Sequence, residues 1–260
     1  MELFTIHIPL IEPVPIIANL PHSGLFVPDD IGRIMSPQHL ASLPNSDWHL
    51  DHLYDFLPSL GMTVMQANYN RYVVDLNREV KEPISGNFWS AAIPLQTAFG
   101  QPIYTANPES QTLNERIDKF HLPYHRQLRK LIDEKLDEFG KVYLLDLHSF
   151  GGLINDQVCL GNLKGKSCSE DLICCVENSF SNQGYQVVNN KVFNGGYITR
   201  YYSQIPNVEV LQIEVRYQVY LDDSQIDKLF IPDWNAHKFH LAKIKFQRVF
   251  AAIVNQCRVR

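Results

Sequence analysis

Apolar positions along this chain recur with two periods, one suited to buried strands and one to amphipathic helices. Val142-Tyr-Leu-Leu-Asp-Leu-His148-Ser149 is an apolar run closed by Phe150-Gly151-Gly152. A run of this kind, bounded by a turn signal, reads as a buried strand of a parallel sheet. Ile16-Ile-Ala-Asn-Leu-Pro21-His22-Ser23-Gly24 has the same grammar, an apolar run that stops at His-Ser. It lies in a segment, residues 1–20, that reads as one strand or two short ones interrupted by Pro13 and Pro15. Met62–Met65, Gln186–Asn189 and Val208–Arg216 are further strands. Helical spacing appears between them. Leu50, Leu53, Tyr54 and Leu57 predict a helix from Trp48 to Gly61, with Asp47 at or near its start. A short helix is expected near Ile31–Met35, and Ser36-Pro37 opens another with Ser at N-cap and Pro at N1. Residues 110–139 are strongly helical, with Pro123 expected to break them into two helices and Gly140 to cap the second. Ser169–Asn182 and Asp233–Val259 complete the helices. Residues 80–110, Gly151–Lys166 (enclosing Val158-Cys-Leu) and Asn194–Arg200 read as loops or turns. A loop as long as 80–110 in a compact domain is usually functional or mobile.

Strands alternating with helices imply an α/β fold, a mostly parallel mixed sheet flanked by helices, in one domain spanning 1–260. In such sheets ligands sit outside the carboxyl ends of the strands. His22 and His148 are therefore delivered to the mouth of a site. One histidine at a strand end is ordinarily a satisfied structural residue. Two with the same surroundings are hard to explain by packing alone.

Composition narrows the classes. A net charge of −5 gives no signal for nucleic acid or an anionic membrane. No run of 18 apolar residues exists, and the N-terminus lacks the basic start and apolar core of a signal peptide. The expectation is a cytoplasmic protein whose partner is a small molecule. The 5 cysteines are an odd number with no CxxC pair, neither a disulfide framework nor a zinc ribbon.

A hydrolytic zinc site needs three protein ligands, an open position for water and a base beside it. His22 and His148 supply two nitrogens, and Asp47 is the third candidate; helix capping is its competing job. His49, Asp51 and His52 are alternative ligands one turn away, or ordinary solvated helix residues. Glu214, between Ile213 and Val215, needs a polar partner or suffers a desolvation cost. Partial burial raises a carboxyl pKa, which suits a general base; the competing reading is an edge-strand glutamate facing water or Arg216. Arg71, Asn77 and Arg78 could hold substrate carboxylates, or either arginine could pair with Asp75. Arg200 is a further carboxylate-holding candidate or a solvated loop residue, and Tyr197 is an oxyanion donor or a packing residue. Ser23 and Ser149 offer a rival nucleophile, but neither sits in a GxSxG elbow, and both read as turn or supporting residues.

The words Pro21-His22-Ser23-Gly24, Ser46-Asp47-Trp48-His49, Asn70 to Arg78, Tyr124-His125, Asp146-Leu147-His148-Ser149, Gly195 to Arg200 and Leu211 to Glu214 stand in one order across about residues 12–223. Together they resemble the N-formylglutamate amidohydrolases, zinc hydrolases of histidine degradation. The resemblance implies a phosphorylase/hydrolase-like fold shared with zinc carboxypeptidases and hydrolysis of an N-acyl amino acid. It also implies that Asn77-Arg78 grip a substrate carboxylate and that Glu214 is the base. The His-x-x-Glu of the carboxypeptidases is absent, since position 25 is Leu, and Asp47 is the inferred ligand in its place.

The expected reaction is the hydrolysis of N-formyl-L-glutamate to formate and glutamate. One zinc is held by His22, Asp47 and His148, with Glu214 as base and Arg71 beside the oxyanion. Asn77, Arg78, Arg200 and Tyr197 contact the substrate. Two rivals stand beside it: a zinc amidase or carboxypeptidase on another N-acyl amino acid or a cell-wall peptide, and a non-catalytic amino-acid-binding domain.

Overall fold

The computed structural model describes residues 1–258. Its strands are β1 Phe4–His7, β2 Ile16–Leu20, β3 Thr63–Ala67, β4 Ser85–Gly86, β5 Ile93–Pro94, β6 Val142–Phe150, β7 Val158–Gly161, β8 Val187–Asn189 and β9 Val208–Arg216. Its α-helices are α1 Asp29–Gly32, α2 Pro37–Ser42, α3 Leu50–Leu53, α4 Ser110–Arg116, α5 Leu122–Phe139, α6 Glu170–Ser181, α7 Tyr197–Tyr202 and α8 His237–Arg258. Seven strands form one sheet in the order β1-β3-β2-β6-β9-β7-β8. β3, β2, β6 and β9 are mutually parallel, β1 is antiparallel to β3, β7 is antiparallel to β9, and β8 is parallel to β7. This is the mostly parallel mixed sheet that the alternation of elements implies.

The two sides of the sheet are read off the period-2 alternation of side chains. Tyr143, Leu145 and Leu147 of β6 and Leu211, Ile213 and Val215 of β9 enter one core, with Phe180 of α6 and Phe246 and Phe250 of α8. Val142 and Leu144 of β6 and Val208 and Val210 of β9 enter the other, with Leu128 and Ile132 of α5 and Tyr72 and Ile103. All nine residues of β6 are buried, which is why its sequence reads as a continuous apolar run rather than an alternating one.

Several elements differ from expectation. No single helix spans Trp48 to Gly61. Only α3 and a 3-10 turn at Leu57–Leu60 form, and Gly61 ends the turn with φ 90°. Asp47 precedes α3 by three residues and does not cap it; His49, with φ 60°, stands at the N-cap. The stretch 110–139 is continuous rather than two separate helices. Its interruption is a π-helical turn, Ile117–His121, just ahead of Pro123. Proline lacks the N–H and crowds the carbonyl four residues back, and a widened turn there relieves both. Val158-Cys-Leu is the strand β7 inside the Gly151–Lys166 stretch, and Asn194–Arg200 runs into α7 rather than a plain turn. The C-terminal helix begins at His237, four residues after the expected start, and the Val259 end of that expectation lies outside the described residues. His148 lies inside β6, two residues before its end. Residues 70–78 belong to no strand.

Candidate active site

On the α5 side of the sheet the strand face changes character along its length. β6 presents Val142, Leu144, Asp146 and His148, and β9 presents Val208, Val210, Gln212 and Glu214. The two strands are in parallel register, Asp146 beside Gln212 and His148 beside Glu214. The N-terminal half of this face is core and the C-terminal half is a polar floor. That floor opens into a cavity of about 620 Å³.

His22 follows β2, Asp47 lies in the segment before α3, and His148 comes from β6. One ligand atom from each lies within 4.8 Å of the others. The Asp47 amide donates to His22 O at 3.1 Å, which ties the two loops together. His148 Nδ1 lies 3.0 Å, and His22 Nδ1 3.7 Å, from Asp47 Oδ2. On the far side of each ring a carboxylate stands behind Nε2: Asp75 Oδ1 at 2.7 Å from His22 and Asp146 Oδ2 at 3.0 Å from His148. Carboxylates placed so fix the tautomer, leaving Nδ1 as the lone-pair donor at the centre.

Further partners hold these carboxylates. Asn19 donates to Asp146 Oδ1 at 2.8 Å, and Tyr124 Oη donates to Asn19 Oδ1 at 2.7 Å. Arg71 Nη2 donates to Asp75 Oδ2 at 2.6 Å. Burial works to raise the Asp75 carboxyl, yet Arg71 and His22 hold it well below the usual carboxylate range. Burial and the nearby Arg71 cation push His22 down to about 4. For His148 burial works in the same direction, but Asp146 and Asp47 outweigh it and hold its pKa well above the ordinary value. Their surroundings therefore shift the two imidazoles in opposite directions.

The donor set fits a zinc-type ion. It combines two neutral-capable imidazoles with a carboxylate, and Asp47 Oδ1 is buried with no hydrogen-bond partner. A buried carboxylate oxygen without a partner is costly unless something electropositive completes it. The alternative ligands His49, Asp51 and His52 form a separate group on and beside α3. There His49 Nε2 donates to Pro232 O, and His52 stacks on Trp234. Ser23 Oγ donates to Leu20 O, and Ser149 Oγ accepts from Tyr220, so both serines are engaged in supporting bonds.

Glu214 is 6 % exposed and shares the cavity lining with His22, Asp47 and His148. Burial, reinforced by the Asp47 charge and partly offset by His148, pushes its carboxyl up to about 8. Gln212 Nε2 donates to Glu214 Oε1 at 2.8 Å, while Gln212 Oε1 accepts from the Gly196 amide at 2.7 Å. Arg71, Asn77, Arg78, Tyr197 and Arg200 also line the cavity. Arg71 is buried, donates to Asn45 O as well as Asp75, lies over the Phe88 ring, and keeps a partnerless Nε. Its pairing with Asp75 realises the second of the two readings of the sequence. Asn77 Oδ1 accepts from the Ile198 amide at 2.9 Å, and Nδ2 lies 3.4 Å from Asp146 Oδ2 and 3.1 Å from His148 Nε2. An amide nitrogen carries two protons, and Asp146 accepts one of them. Arg78 donates to Asn77 O and Phe88 O; among the described residues no carboxylate pairs with it. Tyr197 is half-buried and Arg200 exposed, both on α7.

Sequence reasoning left Asp75, Asp146, Asn19 and Gln212 without their supporting roles. For Asp146 and Gln212 a signal existed: each stands two residues before His148 or Glu214 on a strand, hence on the same face. Asp75 sits in an irregular loop and carried no such signal. Gly196 approaches Asn77 so closely that a Cβ there would lie 2.4 Å from its side-chain amide.

Comparison with known proteins bears on the family and the fold. A family model for N-formylglutamate amidohydrolase matches residues 14–221. The chain is 31% identical over 229 residues to N-formylglutamate deformylase of Pseudomonas putida, covering 82% of this chain and 84% of that one. It is 32% identical over 226 residues to N-formylglutamate deformylase of Pseudomonas aeruginosa, with 81% and 84% covered. The crystal structure of N-formylglutamate amidohydrolase from Ralstonia eutropha JMP134 shares the fold, with a TM-score of 0.85 at 23% identity over 99% of each chain. The match of family model, relatives and fold to one description makes this chain a member of the N-formylglutamate amidohydrolase family, an amide hydrolase.

Proposed function

We propose that this protein hydrolyses N-formyl-L-glutamate to formate and L-glutamate with zinc, in the cytoplasm and within histidine degradation. The observation that carries the reading is the grouping of His22, Asp47 and His148 within 4.8 Å beside the buried Glu214. His22, Asp47 and His148 would hold the ion. Bound there, zinc supplies Lewis acidity, making water a nucleophile near neutral pH and polarising the scissile carbonyl.

The chain's own residues do the rest. Glu214 takes a proton from the attacking water and returns it to the leaving amine, a role its raised pKa suits. Arg71, with its unused buried Nε, donates to the oxyanion. Arg78, unneutralised by any described carboxylate, and the free amide proton of Asn77 hold one substrate carboxylate. Arg200 and Tyr197 on α7 meet the other.

A second reading is favoured by the cavity itself. It is roomy, and Trp89 and Phe99 at its lining are 48% and 65% exposed. An N-acyl amino acid with a larger acyl group would occupy that space. A panel of N-formyl-, N-acetyl- and N-succinyl-glutamate separates the two: the first reading expects the formyl compound to have the highest kcat/KM, and a higher value for a longer acyl group overturns it. For the base, Glu214→Gln is expected to keep its zinc and lose about 100-fold or more in kcat. Near-normal turnover would reject the role.

A further inference from the structure

The Tyr124-His125 word has a second half that the site described so far leaves unused. His125 Nε2 lies 2.9 Å from Leu76 O, and His121 Nε2 lies 3.0 Å from Arg78 O. A carbonyl oxygen only accepts, so both imidazoles donate through Nε2. The two carbonyls bracket Asn77. The rings are neighbours, 4.4 Å apart between centroids, because the residues are four apart along a helix and share a face. His121 closes the π-helical turn and His125 lies in the first turns of α5. Burial pushes His125 down to about 3 and lowers His121, so both rings present one N–H without a charge to solvate.

The segment they hold needs holding. Residues 75–78 belong to no strand or helix. Besides the histidines, the Asn77 amide donates to Asp75 Oδ1 at 2.9 Å, and the Arg78 amide donates to Asp75 O at 3.3 Å. Those bonds leave the Leu76 and Arg78 carbonyls to other partners. Arg78 Nη1 folds back onto Asn77 O, so the direction of its guanidinium follows the backbone at this place.

We propose that His121 and His125 are positioning residues, a pair of imidazole donors that clamp the carbonyls of Leu76 and Arg78 and so aim the Asn77 amide and Arg78 guanidinium at the substrate carboxylate. This rests on the reading that Asn77 and Arg78 hold that carboxylate. Neither histidine touches the reacting atoms, and neither contacts a metal ligand directly.

The test compares His121→Leu and His125→Leu, which keep bulk and remove the donor, with His121→Gln and His125→Gln, which return an N–H near Nε2. Each zinc-loaded enzyme is assayed on N-formylglutamate, its bound metal is counted, and amide exchange of the peptide spanning 75–78 is followed by mass spectrometry. The Leu variants are expected to raise KM about tenfold with kcat within about threefold of the parent, the loss of one buried hydrogen bond near a binding group. Exchange over 75–78 should quicken, bound metal should stay constant, and the Gln variants should restore both KM and exchange. Unchanged KM or unchanged exchange in the Leu variants overturns the proposal, as does a Gln variant no better than Leu. If a Leu variant misfolds, His→Asn, too short to reach either carbonyl, replaces it with the same expected outcome. Arg78→Met is measured alongside. If it leaves KM unchanged, or if the parent does not hydrolyse N-formylglutamate, the substrate reading fails. The exchange data then decide the clamp alone, in its favour if Leu quickens and Gln restores it, and against it otherwise.

Discussion

At the scale of single residues, the site's chemistry depends on partners one bond removed from it. Asp146 faces Nε2 of His148 and Asp75 faces Nε2 of His22, which points Nδ1 inward. Replacing Asp146 with Asn removes the charge and keeps the shape. Metal affinity of that variant is expected to fall about 10- to 100-fold, measured by competition with a chromophoric chelator. Unchanged affinity would show that Asp146 does not act through the metal. His125 carries a different prediction. Its pKa is about 3 in the folded protein and about 6.5 in the unfolded chain. Between those values the unfolded chain binds a proton that the folded one does not. Stability is therefore lost as pH falls below 6.5 toward 3, by at most about 1.4 kcal/mol per pH unit from this residue. Urea midpoints across that range should fall less steeply for His125→Gln than for the parent; parallel slopes would contradict the assignment.

Elements differ in how plainly the sequence announced them. β6, β9, α5, α6 and α8 were legible because each buries a run or stripe long enough to fix its period. α3 was overread: Leu50, Leu53, Tyr54 and Leu57 are all buried, but they divide between α3, a bend and a 3-10 turn, because packing rather than continuous hydrogen bonding sets their spacing. Asp47 consequently serves the site from an irregular segment, where capping rules do not apply. The arrival of His22 and His148 at one end of the sheet was legible from strand grammar, whereas the link of Asp75 to His22 depends on how a loop folds back over the sheet. Strand β6 gives the direct stability prediction. Leu144 is fully buried where the apolar half of the face ends. Leu144→Ala should cost about 2–5 kcal/mol in equilibrium unfolding, and a loss under about 1 kcal/mol would mean that this half of the sheet is not the packed core.

Over the whole molecule, metal loading and protonation are one equilibrium. Asp146 and Asp47 favour the charged form of His148, and burial favours the neutral form of Glu214. A cation at Asp47 opposes both preferences. Binding at pH 7 should release protons, and affinity should weaken as pH falls. Calorimetry in buffers of different ionisation enthalpy reads the number directly; no release would contradict the electrostatics described. The sheet is what makes this coupling possible, since β2, β6 and β9 bring groups some 190 residues apart in sequence, His22 and Glu214, to one floor.

The convergence itself is tested most directly by counting metal in protein purified after zinc loading, parent beside His148→Ala and Asp47→Ala. About one equivalent in the parent and less than about a tenth in both variants is the expected result. A parent that retains no zinc, or variants that retain it in full, would contradict a centre built from His22, Asp47 and His148.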